Sequence, residues 1–335
     1  MSKPTIKTIA QAAGVSTATV SKALNDMPDI SEPVKARIRQ IAHEMGYTIN
    51  ANARQLAKGH SSMIGLIMPD LTDEMAAHLY LSISQRVLQS GYTVFVSHSA
   101  NNIQQEIECI RRMLQLRIAA LIIMPVSKDA KHVEATVQDA IPVVYIGGNV
   151  PVAALYGVEY DDYTGGLLAA RHFYRSGFRT SAVFTYGQAA TPRHERMRGF
   201  VGYMQQHQCP VQVYNAGDML NSEEAGQILV NKALANKNLP NAIFAADDLI
   251  ALGAIAEFQQ KGVYVPGHVS VIGYGNTAFA KLSIVKLTSI SQPTNEMGIC
   301  AADMAVELIE GAEDIVPRLR LEPQLVRRSS VFINN

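Results

Sequence analysis

The sequence predicts an α/β protein: a small all-α head, followed by a core of two doubly wound subdomains. Three observations carry this expectation. Up to Gly46 the apolar residues recur at helical spacing, with Ser, Thr and Gly at the breaks. From Met63 onward, short runs rich in β-branched residues alternate with longer amphipathic stretches. That alternation restarts near residue 160, which predicts a second subdomain and not one longer sheet. At 335 residues the chain has room for two or three units.

The head comes first. Ile6, Ile9, Ala10 and Ala13 share one helical face, and Gly14, tolerant of positive φ, ends that helix. Ser16 is placed as the N-cap of a second helix whose buried side is Val20, Ala23 and Leu24. Ser31 caps a third, with Pro33 in its first turn and Val34, Ile38, Ile41, Ala42 and Met45 inward; Gly46 ends it. None of these helices can bury its face alone. The second helix leaves Thr17, Ala18, Ser21 and Lys22 outward, with Asn25 at its end. Small hydroxyl residues beside one cation suit a helix lying in a major groove, and they equally suit a solvated surface. The segment "TINANARQLAKGHSS", 48 to 62, has a helical middle in which Leu56 has no apolar partner among Arg54, Lys58 and His60. It reads as a loose linker, or as a helix that orders on DNA and wedges Leu56 between base steps.

Composition narrows the function classes. The chain is 48% apolar and 17% charged, with a formal net charge of zero. Residues 1 to 60 hold eight Lys/Arg against four Asp/Glu, so the remainder carries 21 against 25: a basic head on an acidic body. Cys109, Cys209 and Cys300 follow no metal or CxxC spacing and read as small buried or half-buried thiols. No apolar leader opens the chain, and the longest apolar run, "AALIIMPV" at 119 to 126, is too short to span a bilayer. A cytoplasmic protein with no membrane partner is expected. GxGxxG after a first strand, GxxxxGK[ST], GxSxG and HExxH are all missing, so no enzyme, cofactor or metal is expected.

In the core, "MIGLIM", "YTVFVS", "AALIIM" and "VVYIGG" are the strands of a first parallel sheet. "SAVFTYG", "AIFAAD" and "VSVIGYG" belong to a second, introduced by "VEYDDYTGGLLAARHFYRSGF". Sheets of this kind bind ligands beyond the carboxyl ends of their strands, but the fold alone names no chemistry.

Here a resemblance becomes specific. "TIKTIAQAAGVSTATVSKALN", "ISEPVKARIRQIAHEMGY" and "NANARQLAKGHS" resemble the helix-turn-helix headpiece and hinge helix of the lactose/galactose-repressor family of bacterial regulators. The core is similar to the same family, and through it to the periplasmic sugar-binding fold, at "IGLIMPDLTDE", "GVEYDDYTGG", "RMRGF", "FAADDLIALGAIAEFQQKGVYVP" and "VSVIGYGN...LTSISQP". The resemblance implies a headpiece over 1–49, a hinge over 50–61 and an effector-binding, dimerising core over 62–335. Its N-subdomain would take about 62–160 and 292–320, and its C-subdomain about 161–291 and 321–335. The chain would cross between subdomains three times, with the terminal strand "LVRRSSVFI" returning to the second.

Carried over residue by residue, Thr5, Ser16, Thr17, Ala18, Ser21, Lys22 and Asn25 would contact bases or phosphates. Leu56 would be the minor-groove wedge, with Asn50, Ala53, Arg54 and Lys58 along the hinge. Asp73, Glu74, Asp161, Arg196, Asp247, Tyr274 and Asn276 would line the effector site. Three positions depart from the family pattern. Lys22 stands where Arg is usual and lacks the planar fork for a bidentate guanine contact. Asp247–Asp248 stands where Asn-Asp is usual, and Gly275 replaces a ligand-clamping carboxylate. An anion in place of an amide removes two donors, so the pocket cannot simply match a close relative's sugar. The implied function is a sequence-specific DNA-binding regulator, a repressor of carbohydrate utilisation. Its implied partners are pseudo-palindromic operator DNA, a sugar or sugar-acid effector, and a second copy of the chain. No leucine heptad precedes Asn335, so a dimer is expected over a tetramer. The alternative is a corepressor-dependent or effector-independent regulator of another pathway, for example a nucleoside pathway. A binding protein or enzyme with no DNA role ranks last.

Overall fold

The computed structural model describes residues 4–47, 61–72, 74–148, 150–151, 154–187, 191–217, 222–236 and 239–332. Contacts divide the chain into two compact units, Met1–Ser62 and Met63–Asn335.

The first unit holds α1 (Ile6–Ala13), α2 (Thr17–Leu24) and α3 (Glu32–Glu44). Thr5 and Thr8 form a reciprocal capping pair on α1: the Thr8 N–H donates to Thr5 Oγ1 at 3.3 Å, and the Thr5 N–H to Thr8 Oγ1 at 2.8 Å. Gly14 closes the helix in the left-handed region at φ 67°. Ser16 Oγ accepts the Thr19 N–H at 3.0 Å and starts α2. The three helices bury Ile9, Val20, Ala23, Ile38 and Ala42 against one another. Two details correct the sequence reading. Ser31 occupies the N-cap position of α3, but its hydroxyl makes no capping bond; Pro at the first turn leaves one donor fewer to satisfy. Met45 is exposed and not inward, because α3 stops at Glu44 and the chain turns at Gly46, with φ 66°, to pack Tyr47 on the core instead.

In the second unit the first sheet runs β2 (Thr93–His98), β1 (Met63–Met68), β3 (Ala120–Ile123), β4 (Val143–Gly147), β5 (Gly157–Tyr160), β11 (Arg318–Leu321), with every pairing parallel. One face packs Ile64, Leu66 and Met68 against α4 (Glu74–Gln89) and α12 (Thr294–Glu310). The other packs Ile67, Leu121 and Ile123 against α5 (Ile103–Gln115) and α6 (Lys131–Val137). Burial on both faces explains why β1, β3 and β4 read as unbroken apolar runs.

The second sheet runs β7 (Val211–Asn215), β6 (Ser181–Thr185), β8 (Ala242–Ala245), β9 (Ser270–Tyr274), β10 (Thr288–Ser291), β12 (Gln324–Val326), with β12 antiparallel at the edge. Phe173 of α7 (Asp162–Arg175) and Phe200 of α8 (Pro192–Gln206) cover one face. Leu229 of α9 (Ser222–Ala235), Ile250 and Phe258 of α10 (Asp248–Gln260) and Ala280 of α11 (Ala278–Leu282) cover the other. The chain passes from the first sheet to the second after β5, returns after β10 to place α12 on the first sheet, and crosses again between β11 and β12.

Of the expected terminal strand, only Leu325 and Val326 fall within β12. Beyond it, backbone and side-chain bonds are mixed: Val271 N–H donates to the Ser330 carbonyl at 2.8 Å, Thr288 N–H to Ser330 Oγ at 2.8 Å, and Phe332 N–H to Ser270 Oγ at 2.9 Å. Two glycines set the distance between α7 and α8. A Cβ at Gly166 would fall on the Arg196 carbonyl, and one at Gly199 on the Tyr163 carbonyl. Without those side chains the two helices touch backbone to backbone, which brings Arg196 beside Asp162. Among the described residues, no helix is long and apolar enough to cross a membrane, and no three His, Cys, Asp or Glu are grouped to hold a metal ion.

Candidate nucleic-acid interface and ligand cleft

On α2, Thr17, Ala18 and Lys22 are exposed, while Ser21 and Asn25 are half-buried. Thr5 and Ser16 lie at the N-termini of α1 and α2 with their hydroxyls committed to caps. Asn25 turns onto the end of α2: its amide donates to the Ser21 carbonyl at 2.8 Å, and its buried Oδ1 has no partner. Lys22 Nζ donates to Asp29 Oδ2 at 2.5 Å. That bond holds the Asp29 carboxyl below its ordinary range. Asn50, Ala53, Arg54, Leu56 and Lys58 lie outside the described residues.

In the core, the carboxyl ends of the second sheet carry a dense polar cluster. Arg196 Nε donates to Asp162 Oδ1 at 2.8 Å, and Nη1 to the Ala246 carbonyl at 2.8 Å. Its guanidinium lies 3.8 Å from the centre of the Tyr274 ring. Tyr274 in turn donates its hydroxyl to Asp162 Oδ1 at 3.0 Å. Burial disfavours the Arg196 cation, but the adjacent Asp162 carboxylate outweighs that and holds it charged. Burial, then Asp162, push the Tyr274 hydroxyl well above its usual pKa, so it stays a donor.

A second pair sits nearby. Asp247 Oδ1 caps α10 by accepting the Ile250 N–H at 2.8 Å. Its Oδ2 accepts from Arg193 Nε at 3.0 Å and Ser222 Oγ at 3.3 Å. Arg193 stacks 4.3 Å from the Tyr186 ring centre, and Tyr186 and Ser222 share a hydroxyl bond of 2.8 Å. Arg193 therefore offsets the Asp247 carboxylate.

The remaining expected residues are engaged elsewhere. Asp161 caps α7 through the Thr164 N–H at 2.8 Å, and its other oxygen lies 3.8 Å from Arg320. Glu74 reaches across from the first subdomain, and its two oxygens accept the Ala278 N–H at 3.1 and 2.8 Å. Asn276 is tied at both ends of its amide, to Ser291 Oγ at 3.1 Å and to Arg328. Asp73 lies outside the described residues. Gly275 has φ 121°, where a side chain brings strain, so this turn suits glycine and not the clamping acid. The loop after β4 closes in beside this cluster: a Cβ at Gly148 would come within 2.6 Å of Asp162 Oδ2. A surface cavity of about 180 Å³ lies at the opposite end of the second sheet, among Asn241, His268 and Ser270, away from this chemistry.

Residues 5–50 match the family model described as bacterial regulatory proteins, lacI family, and residues 170–331 match a periplasmic binding protein-like domain. The chain is 30% identical to the HTH-type transcriptional regulator DegA of Bacillus subtilis, over 98% of both chains. It belongs to the lacI family of bacterial regulatory proteins. The HTH-type transcriptional repressor PurR of Edwardsiella ictaluri is 29% identical over 98% of this chain and 96% of its own. The crystal structure of the lac repressor dimer bound to operator and the anti-inducer ONPF shares the fold, with a TM-score of 0.88 at 24% identity over 98% of this chain and 99% of that one. As a lacI-family member the protein is a DNA-binding transcriptional regulator of the helix-turn-helix type, and not an enzyme.

This geometry brings forward three side chains that the sequence did not single out. Asp162 is the buried partner of Arg196, yet it adjoins Asp161, and two neighbouring aspartates at a helix start look alike in sequence. Arg193 and Arg196 share one face of α8, so only their partners tell them apart. Asp29 sits in the α2–α3 connection, seven residues from Lys22, where no periodicity points to it.

Proposed function

We propose that this regulator is a homodimeric repressor that binds a pseudo-palindromic operator and is gated by a neutral, polyhydroxylated small molecule held between its core subdomains. The observation that carries the effector class is the cancellation of charge in the cleft. Arg196 is matched by Asp162 and Arg193 by Asp247, so neither of these two arginines is left uncompensated for an acid. A carboxylate ligand would have to displace Asp162 or Asp247; a sugar hydroxyl pair can bridge them as donor and acceptor. In this reading Arg196, Asp247, Arg193 and Asp162 touch the effector. Glu74, Asp161, Tyr274 and Asn276 set the walls, and Asp73 adds to the rim.

In the headpiece, Thr17, Ala18, Ser21 and Lys22 would enter the major groove, and the N-termini of α1 and α2, at Thr5 and Ser16, would meet phosphates. Asn25 would brace the end of α2. Asn50, Ala53, Arg54 and Lys58 would follow the hinge, with Leu56 as the wedge. Self-association is supported by "AFAKLSI", which exposes Phe279, Leu282 and Ile284 at 62%, 82% and 96%. Effector and operator affinities must change each other by the same factor.

Thermal unfolding against neutral sugars, polyols, sugar acids and nucleosides tests the effector class. A ligand at 100 times its Kd adds about 2.7 kcal/mol. Stabilisation by neutral sugars or polyols, abolished in Arg196→Met, is the expected result. Stabilisation by sugar acids or nucleosides alone would replace the proposed class, and no response to the panel would remove the cleft effector from the proposal.

A further inference from the structure

Lys22 is the only cation on α2, and its ammonium is not free: it donates to Asp29 at 2.5 Å. Asp29 is not on a slack loop. The connection from α2 to α3 turns at Asp26, which takes the left-handed φ of 60°. Asp26 is gripped by the buried Lys35 at 3.0 Å and by Arg39 at 2.7 Å. Lys35 itself is fixed by Glu32 at 2.9 Å. Backbone bonds from Met27 N–H to the Lys22 carbonyl at 3.0 Å, and from Ile30 N–H to the Met27 carbonyl at 3.3 Å, fold the loop back on α2. A braced loop thus presents one carboxylate to the single cation of the helix whose outer face the proposed DNA contact uses.

A lysine on an unguided four-carbon stem swings to the nearest phosphate, which adds affinity without sequence information. A carboxylate that takes one of its three N–H groups fixes the direction of the other two. The same carboxylate repels the phosphate backbone. Two N–H groups held outward suit the paired O6 and N7 acceptors of a guanine edge.

We propose that Asp29 is a specificity-determining positioning residue, which aims Lys22 at a base edge and keeps it off the phosphates. The proposal rests on the major-groove role of α2 given under the proposed function. The pair is half-exposed on both sides, at 50% and 51%, so it adds little to folding and can be removed without losing the headpiece.

The test uses the full-length protein and a pool of duplexes randomised across one half-site. Selection is run with wild type, Asp29→Ala, Asp29→Glu, Lys22→Ala and the double variant, followed by binding titrations at several salt concentrations. Lys22→Ala identifies the base pair that Lys22 reads. Asp29→Ala is expected to lose preference at that same base pair and to bind unselected DNA about threefold to tenfold more tightly. Its salt slope should steepen by about 0.9, the signature of one added phosphate contact. Asp29→Glu should restore the preference, and the double variant should match Lys22→Ala. An Asp29→Ala protein with unchanged preference and slope overturns the positioning role, as does a loss of affinity equal on all DNA. A wild type that selects no sequence overturns the major-groove role of α2 together with this proposal.

Discussion

Two ion pairs of nearly equal length carry opposite meanings in this protein. Lys22–Asp29 closes at 2.5 Å and Arg196–Asp162 at 2.8 Å. The side chains of the first are about half exposed, whereas those of the second are only 11% and 4% exposed. Water screens the headpiece pair and replaces either partner at little cost to the fold, so that pair can be removed without losing the headpiece. The core pair has lost its water; either ion left alone would be stranded in a weakly screened interior. Geometry alone would rank the two alike. Burial makes one a surface guide of little weight in folding and the other a fixture of the fold.

The sharpest way to break this comparison is Asp162→Ala. It leaves the Arg196 guanidinium with one carbonyl and one aromatic ring, and about 3–5 kcal/mol of unfolding free energy should be lost. Denaturant titration measures this, and a loss no larger than that of an ordinary surface substitution would mean water reaches the pair.

Next in size is Gly199→Ala. The added methyl meets the Tyr163 carbonyl, and α7 and α8 must separate. A cost of about 1–3 kcal/mol is expected for such overpacking. Because the separation also draws Arg196 from Asp162, combining Gly199→Ala with Asp162→Ala should cost less than the two added together. Strict additivity would show that helix contact and ion pair are independent.

A third prediction concerns acid. His172 is buried on α7, and burial first, then Arg327, lower its pKa from 6.5 to about 4. The unfolded chain then binds the His172 proton at a higher pH than the folded one. Stability from this group is complete above pH 6.5 and is lost as pH falls towards about 4. His172→Gln should therefore flatten the unfolding free energy across that window. An unchanged pH slope would assign acid sensitivity to other groups.

These contrasts also mark what the sequence could disclose. Burial on both faces leaves an apolar run, so β1, β3, β4, β6, β8 and β9 are legible as "MIGLIM"-like stretches. β7 is an edge strand, "VQVYN", whose exposed side breaks the run, and β11, "RLRL", alternates charge with apolar residues for the same reason. The cap at Ser16 is legible because a cap is local. Asp162 is not: its partners Arg196 and Tyr274 lie 34 and 112 residues away, and only folding joins them. Gly275 is legible as a departure, whereas its reason, a φ of 121°, belongs to the turn and not to the residue name.

The smallest expected effect is the most telling for the comparison. Lys22→Ala, Asp29→Ala and their double variant should each melt within error of the wild type, since an exposed pair in high dielectric gains little Coulomb energy and orders two mobile side chains to get it. High salt should remove whatever coupling remains, because the Debye length falls to about 3 Å at 1 M. The corresponding cycle on Asp162 and Arg196 should retain strong coupling in the same salt. Should Lys22–Asp29 also prove strongly coupled and salt-resistant, the pair would be a structural clamp on the α2–α3 loop. Its removal would then cost headpiece stability as well as preference at the base pair that Lys22 reads.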